Sequence, residues 1–304
     1  MHIRAYDAAH DEAAVLALWE AALGESWPVV PAAFRRITAP GERFVAEEEQ
    51  LVGFAATEAR GERGGLLALL VHPEHRRRGV GRALHDRAVA HLRARGVSRV
   101  RLGPGPIGYF WPGVPTDLPE AWAFFAAQGW TSDEQAADLV LDLGAYATPA
   151  WVYDRAARHR VTPAPAVPAD AGAVASFERA HLPGWAEYFA APFASGEAGD
   201  VLVARGPEGA VLGTALLHGP DAAWHGPLTW TRRLGAGTGA VSAVGVAPDA
   251  RGRGIGLALV ARATELLRER GLARSYVGYT WLVDWYGKLG YRVWMEYRVS
   301  ARTL

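Results

Sequence analysis

The chain has 304 residues, of which 50% are hydrophobic and 21% charged, so it is long enough for two hydrophobic cores of about 150 residues each. Basic and acidic residues balance at 32 each, which leaves no net charge to attract a nucleic acid or an anionic membrane. The chain has no cysteine, which excludes a disulfide framework, a thiolate metal site and a cysteine nucleophile.

The first half of the chain alternates short strands and helices. The spacing of apolar and turn residues predicts, in chain order, a strand over 3–6, a helix over 11–23, a hairpin of 44–47 and 51–57, a buried strand over 66–71, a helix over 81–95 and a strand over 97–102. No apolar run reaches the roughly 20 residues of a membrane span, and the N-terminal segment has neither the pattern of a signal peptide nor that of an anchor. We therefore expect a cytoplasmic protein.

The second half of the chain repeats the first. When the sequence is shifted by 175 positions, residues 66–103 align with residues 241–278 without a gap, and roughly 17 of about 38 positions are identical. Gly79, for example, falls on Gly254. Duplication of one domain is the simplest explanation.

Equivalent elements are predicted in the second copy. They are a helix near 170–180, strands near 201–204, 211–217 and 240–246, a helix over 256–270 and a strand over 275–279. The segment 149–168 is rich in proline and alanine and is the predicted join. The chain is therefore divided into one domain of residues 1–148 and a second of residues 149–304.

The two copies differ in the length of their connections. The first has an insertion that includes residues 107–115, and the second has a long loop over 218–239. Loops vary where specificity is set, so both segments are candidates for substrate-facing or interdomain surface. Surface loops packed by their own aromatic residues are the alternative, and the 12 tryptophans likewise serve core packing or a substrate pocket.

The most informative motif is an Arg-x-x-Gly-x-Gly turn, which occurs in both copies between an apolar strand and an amphipathic helix. Such a turn presents several unpaired backbone amides at the positive end of a helix dipole, an arrangement that binds phosphate. Glycine lets the backbone approach the anion, and neighbouring arginines add positive charge. Neither copy has the third glycine of a dinucleotide fingerprint or the Gly-Lys-Ser/Thr of a P-loop. A tight turn without a ligand is the alternative, and the occurrence of two turns in register argues against it.

The segments VHPEHRRRGVGRAL and VAPDARGRGIGLAL, with the later AWAFFAAQGW and DWYGKLGY, resemble the GNAT N-acetyltransferase superfamily. The resemblance covers most of both halves. It implies a mixed α/β fold of two tandem GNAT-like domains, each with a mixed, mostly antiparallel, V-shaped sheet flanked by helices. It also implies acetyl-CoA as co-substrate, no metal, and a pantetheine arm that lies in the gap of the sheet.

The resemblance further implies which residues bind the cofactor. Pyrophosphate would lie on the amides of the two turns, and pantetheine on the main chain of the strands before them. In the first copy the residues are Leu70, Val71, Arg76, Arg77, Arg78, Gly79, Val80, Gly81 and Arg82. In the second copy they are Gly245, Val246, Arg251, Gly252, Arg253, Gly254, Ile255, Gly256 and Leu257.

Tyr286 matches the family's general-acid tyrosine, which stands four residues before a glycine. The first copy has Phe125 at this position, and phenylalanine cannot donate a proton. A tyrosine with the ordinary pKa near 10 is protonated at neutral pH. We therefore expect a catalytic C-terminal copy and an N-terminal copy that is non-catalytic or weakly active. Several relatives work without this tyrosine, which leaves activity in the first copy open, and an ordinary half-buried tyrosine is the alternative for Tyr286.

The general base stays open among Asp284, His218, His225 and an ordered water. Asp284 also stands where it could cap the helix that carries Tyr286.

We expect an N-acetyltransferase that moves an acetyl group from acetyl-CoA to the primary amine of a small molecule. An amino sugar, an aminoglycoside-like antibiotic, a polyamine and an amino acid all remain open as acceptors. The alternative from another class is a non-catalytic acyl-CoA-binding or sensing protein. No nucleic-acid partner is expected, because the arginine-rich turns have the phosphate-binding role. No membrane partner is expected, because the net charge is zero and no apolar run is long enough for a span. Fused copies can make internally the sheet pairing that single-copy relatives make by dimerising, so a monomer is expected, with a homodimer as the alternative.

Overall fold

The structure, a computed structural model, describes residues 1–105, 108–132, 134–220, 222 and 227–304. Its two compact units are residues 1–137 with 295–304, and residues 138–294. Parts of both predicted insertions lie outside the described residues, and so does His225, one of the candidate general bases.

The secondary structure of the first half follows the predicted order. The elements are β1 (His2–Ala5), α1 (Ala8–Leu23), α2 (Pro31–Thr38), β2 (Glu42–Glu47), β3 (Leu51–Arg60), β4 (Arg63–Val71), α3 (Val80–Ala94), β5 (Arg99–Leu102), β6 (Val114–Pro115), α4 (Pro119–Ala127) and β7 (Glu134–Asp142). The helix before β2 and the strands β6 and β7 were not predicted.

The second half repeats this succession with additional short helices. The elements are α5 (Ala150–Ala157), β8 (Thr162–Pro165), α6 (Ala171–His181), α7 (Ala186–Ala194), β9 (Val201–Arg205), β10 (Val211–His218), α8 (Thr231–Leu234), β11 (Thr238–Val246), α9 (Ile255–Glu269), β12 (Arg274–Thr280), α10 (Val283–Gly287), β13 (Arg292–Val299) and β14 (Ala301–Thr303). None of the helices in the described part of the chain is long and apolar enough to cross a membrane.

The sheet of each unit is mixed and opens in a V. In the first unit the strand order is β1-β2-β3-β4-β5-β14, in which β4 and β5 are parallel and pair only over 63–66 with 99–102. In the second unit the parallel strands β11 and β12 pair only over 238–240 with 274–276. The central strands β4 and β11 continue for five or six residues beyond these pairs, to Val71 and Val246. The strands therefore splay apart, and the predicted V-shaped sheet is confirmed.

The last strand of each sequence copy completes the unit formed by the other copy. β14, at the end of the chain, pairs antiparallel with β5 in the first unit. In the second unit β7, from the first half of the chain, stands beside β12 in the strand order. The compact units therefore differ from the division between 148 and 149, because residues 138–148 fall in the second unit and residues 295–304 in the first. That division stays a prediction about the repeated sequence.

The segment 149–168, predicted as a join, contains regular structure. It carries α5 and the strand β8, which pairs antiparallel with β9. β8 includes Pro163 and Pro165 and stands at the end of the strand order, the position in a sheet where a proline's missing donor is tolerated.

Aromatic residues of the first insertion pack into the core of the first unit. Trp111 stacks on Trp19 with ring centroids 5.6 Å apart, and Phe110 lies 4.8 Å from the same ring. All three side chains are buried. In the described part of 107–115, these aromatic residues therefore pack in the core. Trp111 and residues 113–115 also line the cavity beside β4, so the substrate-facing alternative stays open.

Candidate functional site

The two Arg-x-x-Gly-x-Gly turns have the same local conformation. The fourth residue of each motif is a glycine that caps the following helix with a left-handed backbone, Gly79 with φ +87° and Gly254 with φ +84°. The backbone is also left-handed two residues earlier, at Arg77 with φ +64° and Gly252 with φ +77°. Residues with a Cβ rarely adopt this conformation, so glycine is required at both capping positions.

The last glycine of each motif makes room for an aromatic ring. A Cβ on Gly81 would lie 3.2 Å from the ring of Phe124, and one on Gly256 would lie 3.1 Å from the ring of Trp285. The sequence explained both glycines of the motif by the approach of an anion. For the last glycine, the structure adds close packing between two helices as a reason.

Both turns offer backbone amides to an anion. Residues 80–82 and 255–257 form the first turns of α3 and α9, where amides have no preceding carbonyl within the helix. Neither helix has a side-chain hydrogen bond at its N-cap. Helix N-termini with free amides bind phosphate groups, so the donor set fits the pyrophosphate of a CoA thioester.

A cavity of about 1090 Å³ opens in the first unit at the splay between β4 and β5. Residues 66–71 line one side of it, and Phe125, the counterpart of Tyr286, also lines it. From the predicted set, the lining includes Leu70, Val71, Arg76, Arg77, Gly79, Gly81 and Arg82. Of the other two, Val80 is buried and Arg78 is exposed, and neither side chain contributes to the cavity. The structure thus brings most of the predicted first-copy residues to one cleft.

The second unit arranges its predicted residues differently. A Cβ on Gly245 would overlap the side chain of Leu182, which follows α6. Ile255 and Leu257 are buried, so only their main chain is available to an anion. A residue of α5, Arg155, lies against Gly254.

A β-bulge lies next to the gap in both units. In the first unit, the pairing of β4 with β3 shifts register at residues 66–68 of β4. In the second unit, the pairing of β11 with β10 shifts register at residues 242–245 of β11. Ala243 within the second bulge has φ +48°. Bulges leave main-chain groups unpaired, so each central strand presents extra donors and acceptors beside the gap. The alternating apolar pattern of the strands gave no signal of these bulges.

Tyr286 lies on α10 and is buried, with its ring against Trp285 and Tyr291. Burial raises the pKa of Tyr286 above its ordinary value, so its hydroxyl stays protonated at neutral pH. Asp284, a candidate base, is exposed and does not cap α10, whose N-cap is Leu282 without a side-chain hydrogen bond.

His218, the other described candidate base, is held at the second bulge. Its side chain is buried, and Nε2 lies 2.7 Å from Oγ of Ser242.

The sequence did not single out Asp138, a buried carboxylate of β7. Tyr276 donates its hydroxyl to Oδ2 at 2.5 Å, and the amide of Tyr279 donates to Oδ1 at 2.8 Å. Tyr279 has φ +55°, an uncommon conformation for a residue with a side chain. Asp138 therefore holds the end of β12 in the conformation that leads into α10.

Glu178 on α6 is a second buried carboxyl that the sequence did not single out. Its Oε1 accepts a hydrogen bond from Oγ1 of Thr214 at 2.6 Å, whereas Oε2 has no partner among the described residues. Burial raises the pKa of Glu178 to about 7, against the opposite effect of the Thr214 hydrogen bond. Thr214 pairs with Gly245 across the sheet, so this carboxyl lies near the predicted pantetheine site.

We expect the buried carboxyl of Glu178 to make the protein less stable as pH rises. Below the ordinary pKa of 4.5 the carboxyl of Glu178 is protonated in both the folded and the unfolded chain, so its contribution to the free energy of unfolding is fully present. As pH rises towards about 7 the unfolded chain releases a proton that the folded chain keeps, and stability falls. Relative to Glu178→Gln, the free energy of unfolding of the wild type should fall by on the order of 2–3 kcal/mol between about pH 4.5 and 8. Urea unfolding at several pH values measures this difference.

Glu208→Gln, in an exposed turn, is the control and should follow the wild type. Equal pH slopes for the wild type and Glu178→Gln would contradict the raised pKa.

The described residues contain no group of three or more His, Asp and Glu side chains that could hold a metal ion.

In each unit a mixed sheet splays apart beside a helix N-terminus whose backbone amides are free to bind an anion. This arrangement defines an acyltransferase fold. The sequence profile of the Acetyltransferase (GNAT) family matches residues 12–108 and 172–291. The chain belongs to this family. Because one match falls in each copy, the predicted tandem arrangement is confirmed.

Several solved structures have the same fold over nearly the full length of this chain. A fungal structure described as a GCN5-related glucosamine N-acetyltransferase region of a multi-domain GH3 β-N-acetylglucosaminidase has a TM-score of 0.91 and 30% identity. The alignment covers 99% of this chain but 38% of that one. A GCN5-related N-acetyltransferase from Sphaerobacter thermophilus has a TM-score of 0.71 and 19% identity, and covers 99% and 95% of the two chains.

A tandem GNAT protein from the clavulanic acid biosynthesis pathway has a TM-score of 0.63 and 19% identity, over 99% of this chain and 98% of that one. These last two likenesses show the fold alone. No curated protein matched the chain.

Proposed function

We propose that the protein transfers an acetyl group from acetyl-CoA to the primary amine of an amino sugar. The observation that carries the proposal is the 30% identity and TM-score of 0.91 with a region described as a glucosamine N-acetyltransferase. Among the acceptors that the sequence left open, this similarity favours the amino sugar over a polyamine or an amino acid.

Acetyl-CoA, when bound, supplies the thioester-activated acetyl group. In the C-terminal copy the amides of residues 251–257 bind its pyrophosphate, and the main chain of Gly245 and Val246 binds its pantetheine arm. Residues 76–82 with Leu70 and Val71 do the same in the N-terminal copy. The left-handed glycines, the free first-turn amides and the splayed strands support these roles.

Tyr286 is proposed as the general acid of a direct transfer. Its buried hydroxyl keeps its proton at neutral pH, which is the form that can protonate a leaving thiolate. Phe125 cannot take this role in the cavity of the N-terminal copy, which is therefore proposed to bind acetyl-CoA without efficient turnover.

The acceptor side of the C-terminal copy is proposed to include aromatic faces near the end of β12. The ring of Tyr279 lies 4.9 Å from that of Trp281, whose side chain is half exposed. Aromatic faces attract an ammonium group and pack against the apolar face of a small ring. These rings therefore suit a cyclic amine better than a long flexible one.

A panel of acceptors tests the proposed function by release of the CoA thiol. Glucosamine should give a kcat/KM at least about tenfold above those of putrescine and of free amino acids. Glucose, which has hydroxyls in place of the amine, is the matched control and should give no release above background. Tight acetyl-CoA binding without release for any amine would contradict the proposal and favour the acyl-CoA-binding alternative.

A further inference from the structure

The two phosphate-binding turns differ in charge. The N-terminal motif has arginines at 76, 77, 78 and 82. The aligned residues of the C-terminal motif are Arg251, Gly252, Arg253 and Leu257. Around the same set of backbone amides, the C-terminal motif therefore has two arginines where the N-terminal motif has four.

Arg155 of α5 brings a guanidinium group to the C-terminal turn. Its Nη2 donates to the carbonyl of Gly252 at 2.8 Å. Gly252 is the residue aligned with Arg77, whose side chain the C-terminal motif lacks. The methylene chain of Arg155 covers Gly254, since Cγ lies 2.8 Å from the position of a Cβ on that glycine. At Gly79 no atom of a described residue lies within 4 Å of the same position.

α5 is fixed to the helix that begins at the turn. Val152 and Ala156 of α5 are buried, and α5 packs on α9. Just before α5, Thr148 donates its hydroxyl to Oε1 of Glu265 on α9 at 2.6 Å. Because α5 is anchored in this way, Arg155 is held beside the turn by a packed helix.

Most donors of Arg155 are available for a ligand. The side chain is exposed, and within the described part of the chain one of its five N–H groups makes a hydrogen bond. The planar guanidinium group of one arginine can donate two parallel hydrogen bonds to a phosphate group.

We propose that Arg155 is a phosphate-binding residue of the C-terminal copy. Together with the amides of the turn, it binds the pyrophosphate of acetyl-CoA and replaces the charge that Arg77 provides in the N-terminal copy. This inference rests on the proposed function, because it requires acetyl-CoA on the C-terminal turn. Alignment of the two copies does not reveal it, because position 155 lies outside the repeated segment.

Calorimetric titration with acetyl-CoA tests the role of Arg155. The background variant Gly79→Glu removes binding by the N-terminal turn, so the remaining heat reports the C-terminal site. In this background Arg155→Ala should raise the Kd of acetyl-CoA about tenfold, the loss expected for one charge-assisted contact. Arg155→Lys should recover part of the affinity, because lysine keeps the charge but not the planar fork.

Two controls separate a phosphate contact from a general effect. Arg158→Ala removes another exposed arginine at the end of α5 and should change the Kd by less than about twofold. S-acetylpantetheine, which lacks the pyrophosphate, should bind equally with and without Arg155→Ala.

An unchanged Kd for Arg155→Ala would overturn the inference. A lower Kd would also overturn it, because the side chain would then obstruct the turn. If Gly254→Glu removes binding in the same background and Arg155→Ala does not weaken it, the inference fails while the proposed function stands. If neither Gly79→Glu nor Gly254→Glu changes acetyl-CoA binding, the proposed function fails and the inference with it.

Discussion

Gly254→Glu should reduce acetyl transfer by at least about 100-fold and remove acetyl-CoA binding at the C-terminal site. The new carboxylate would stand at the helix start proposed to bind pyrophosphate, where it repels the anion. The backbone adds to the effect, since φ is +84° and a Cβ would meet Arg155 at 2.8 Å. Calorimetry with acetyl-CoA and a thiol-release assay measure the two losses.

Gly271→Glu is the matched control for backbone strain. Gly271 also has a left-handed backbone, at φ +79°, and has open space around it, but it follows the far end of α9. It should leave transfer within about twofold of the wild type. Gly79→Glu makes the same change in the N-terminal turn and compares the two copies. Loss of transfer in Gly79→Glu with full transfer in Gly254→Glu would place the chemistry in the N-terminal copy.

Tyr286→Phe should lower kcat by about 100- to 1000-fold, the usual contribution of a general acid. The ring remains to pack against Trp285 and Tyr291, so the Kd of acetyl-CoA should stay within about threefold of the wild-type value. Because burial raises the pKa of Tyr286, the wild-type rate should not fall on the alkaline side until above the ordinary tyrosine pKa of 10. Steady-state thiol release with calorimetry separates the kcat effect from binding.

Tyr291→Phe is the control for the loss of a buried hydroxyl. Its hydroxyl lies 2.6 Å from Oγ of Ser275 and 2.9 Å from Oγ1 of Thr264. Removing it should cost about 1–2 kcal/mol of stability with little change in kcat. Full kcat in Tyr286→Phe would contradict the role of Tyr286 and leave an ordinary buried tyrosine of the core.

Most of the regular structure followed from local patterns. The predicted helices 81–95 and 256–270 correspond to α3 and α9, because an apolar stripe and a closing glycine lie within a single contiguous segment. The short helices α2, α5 and α7 were not predicted. α5 lies in a segment with the composition of a linker, and its stability comes from packing on α9 more than from its own eight residues.

The candidate site likewise combines residues that the sequence identified with residues that only the structure revealed. The glycines of the two turns were identified from their spacing, and the left-handed backbones of Gly79 and Gly254 agree with it. Asp138 gave no signal, because its partners Tyr276 and Tyr279 are about 140 residues away in sequence. Glu178 gave none either, since a single glutamate on an amphipathic helix is usually solvated. Its burial depends on the strand that carries Thr214.

The sequence by itself determined the duplication, the two Arg-x-x-Gly-x-Gly turns, membership of the acetyltransferase family and the contrast between Tyr286 and Phe125. Each depends on neighbouring residues whose spacing is preserved between the copies. The tertiary structure alone decided that the end of the second sequence copy belongs to the first compact unit and that Arg155 lies at the C-terminal turn. Both depend on contacts between segments far apart in the chain, and the period of a helix or strand carries no information about such contacts.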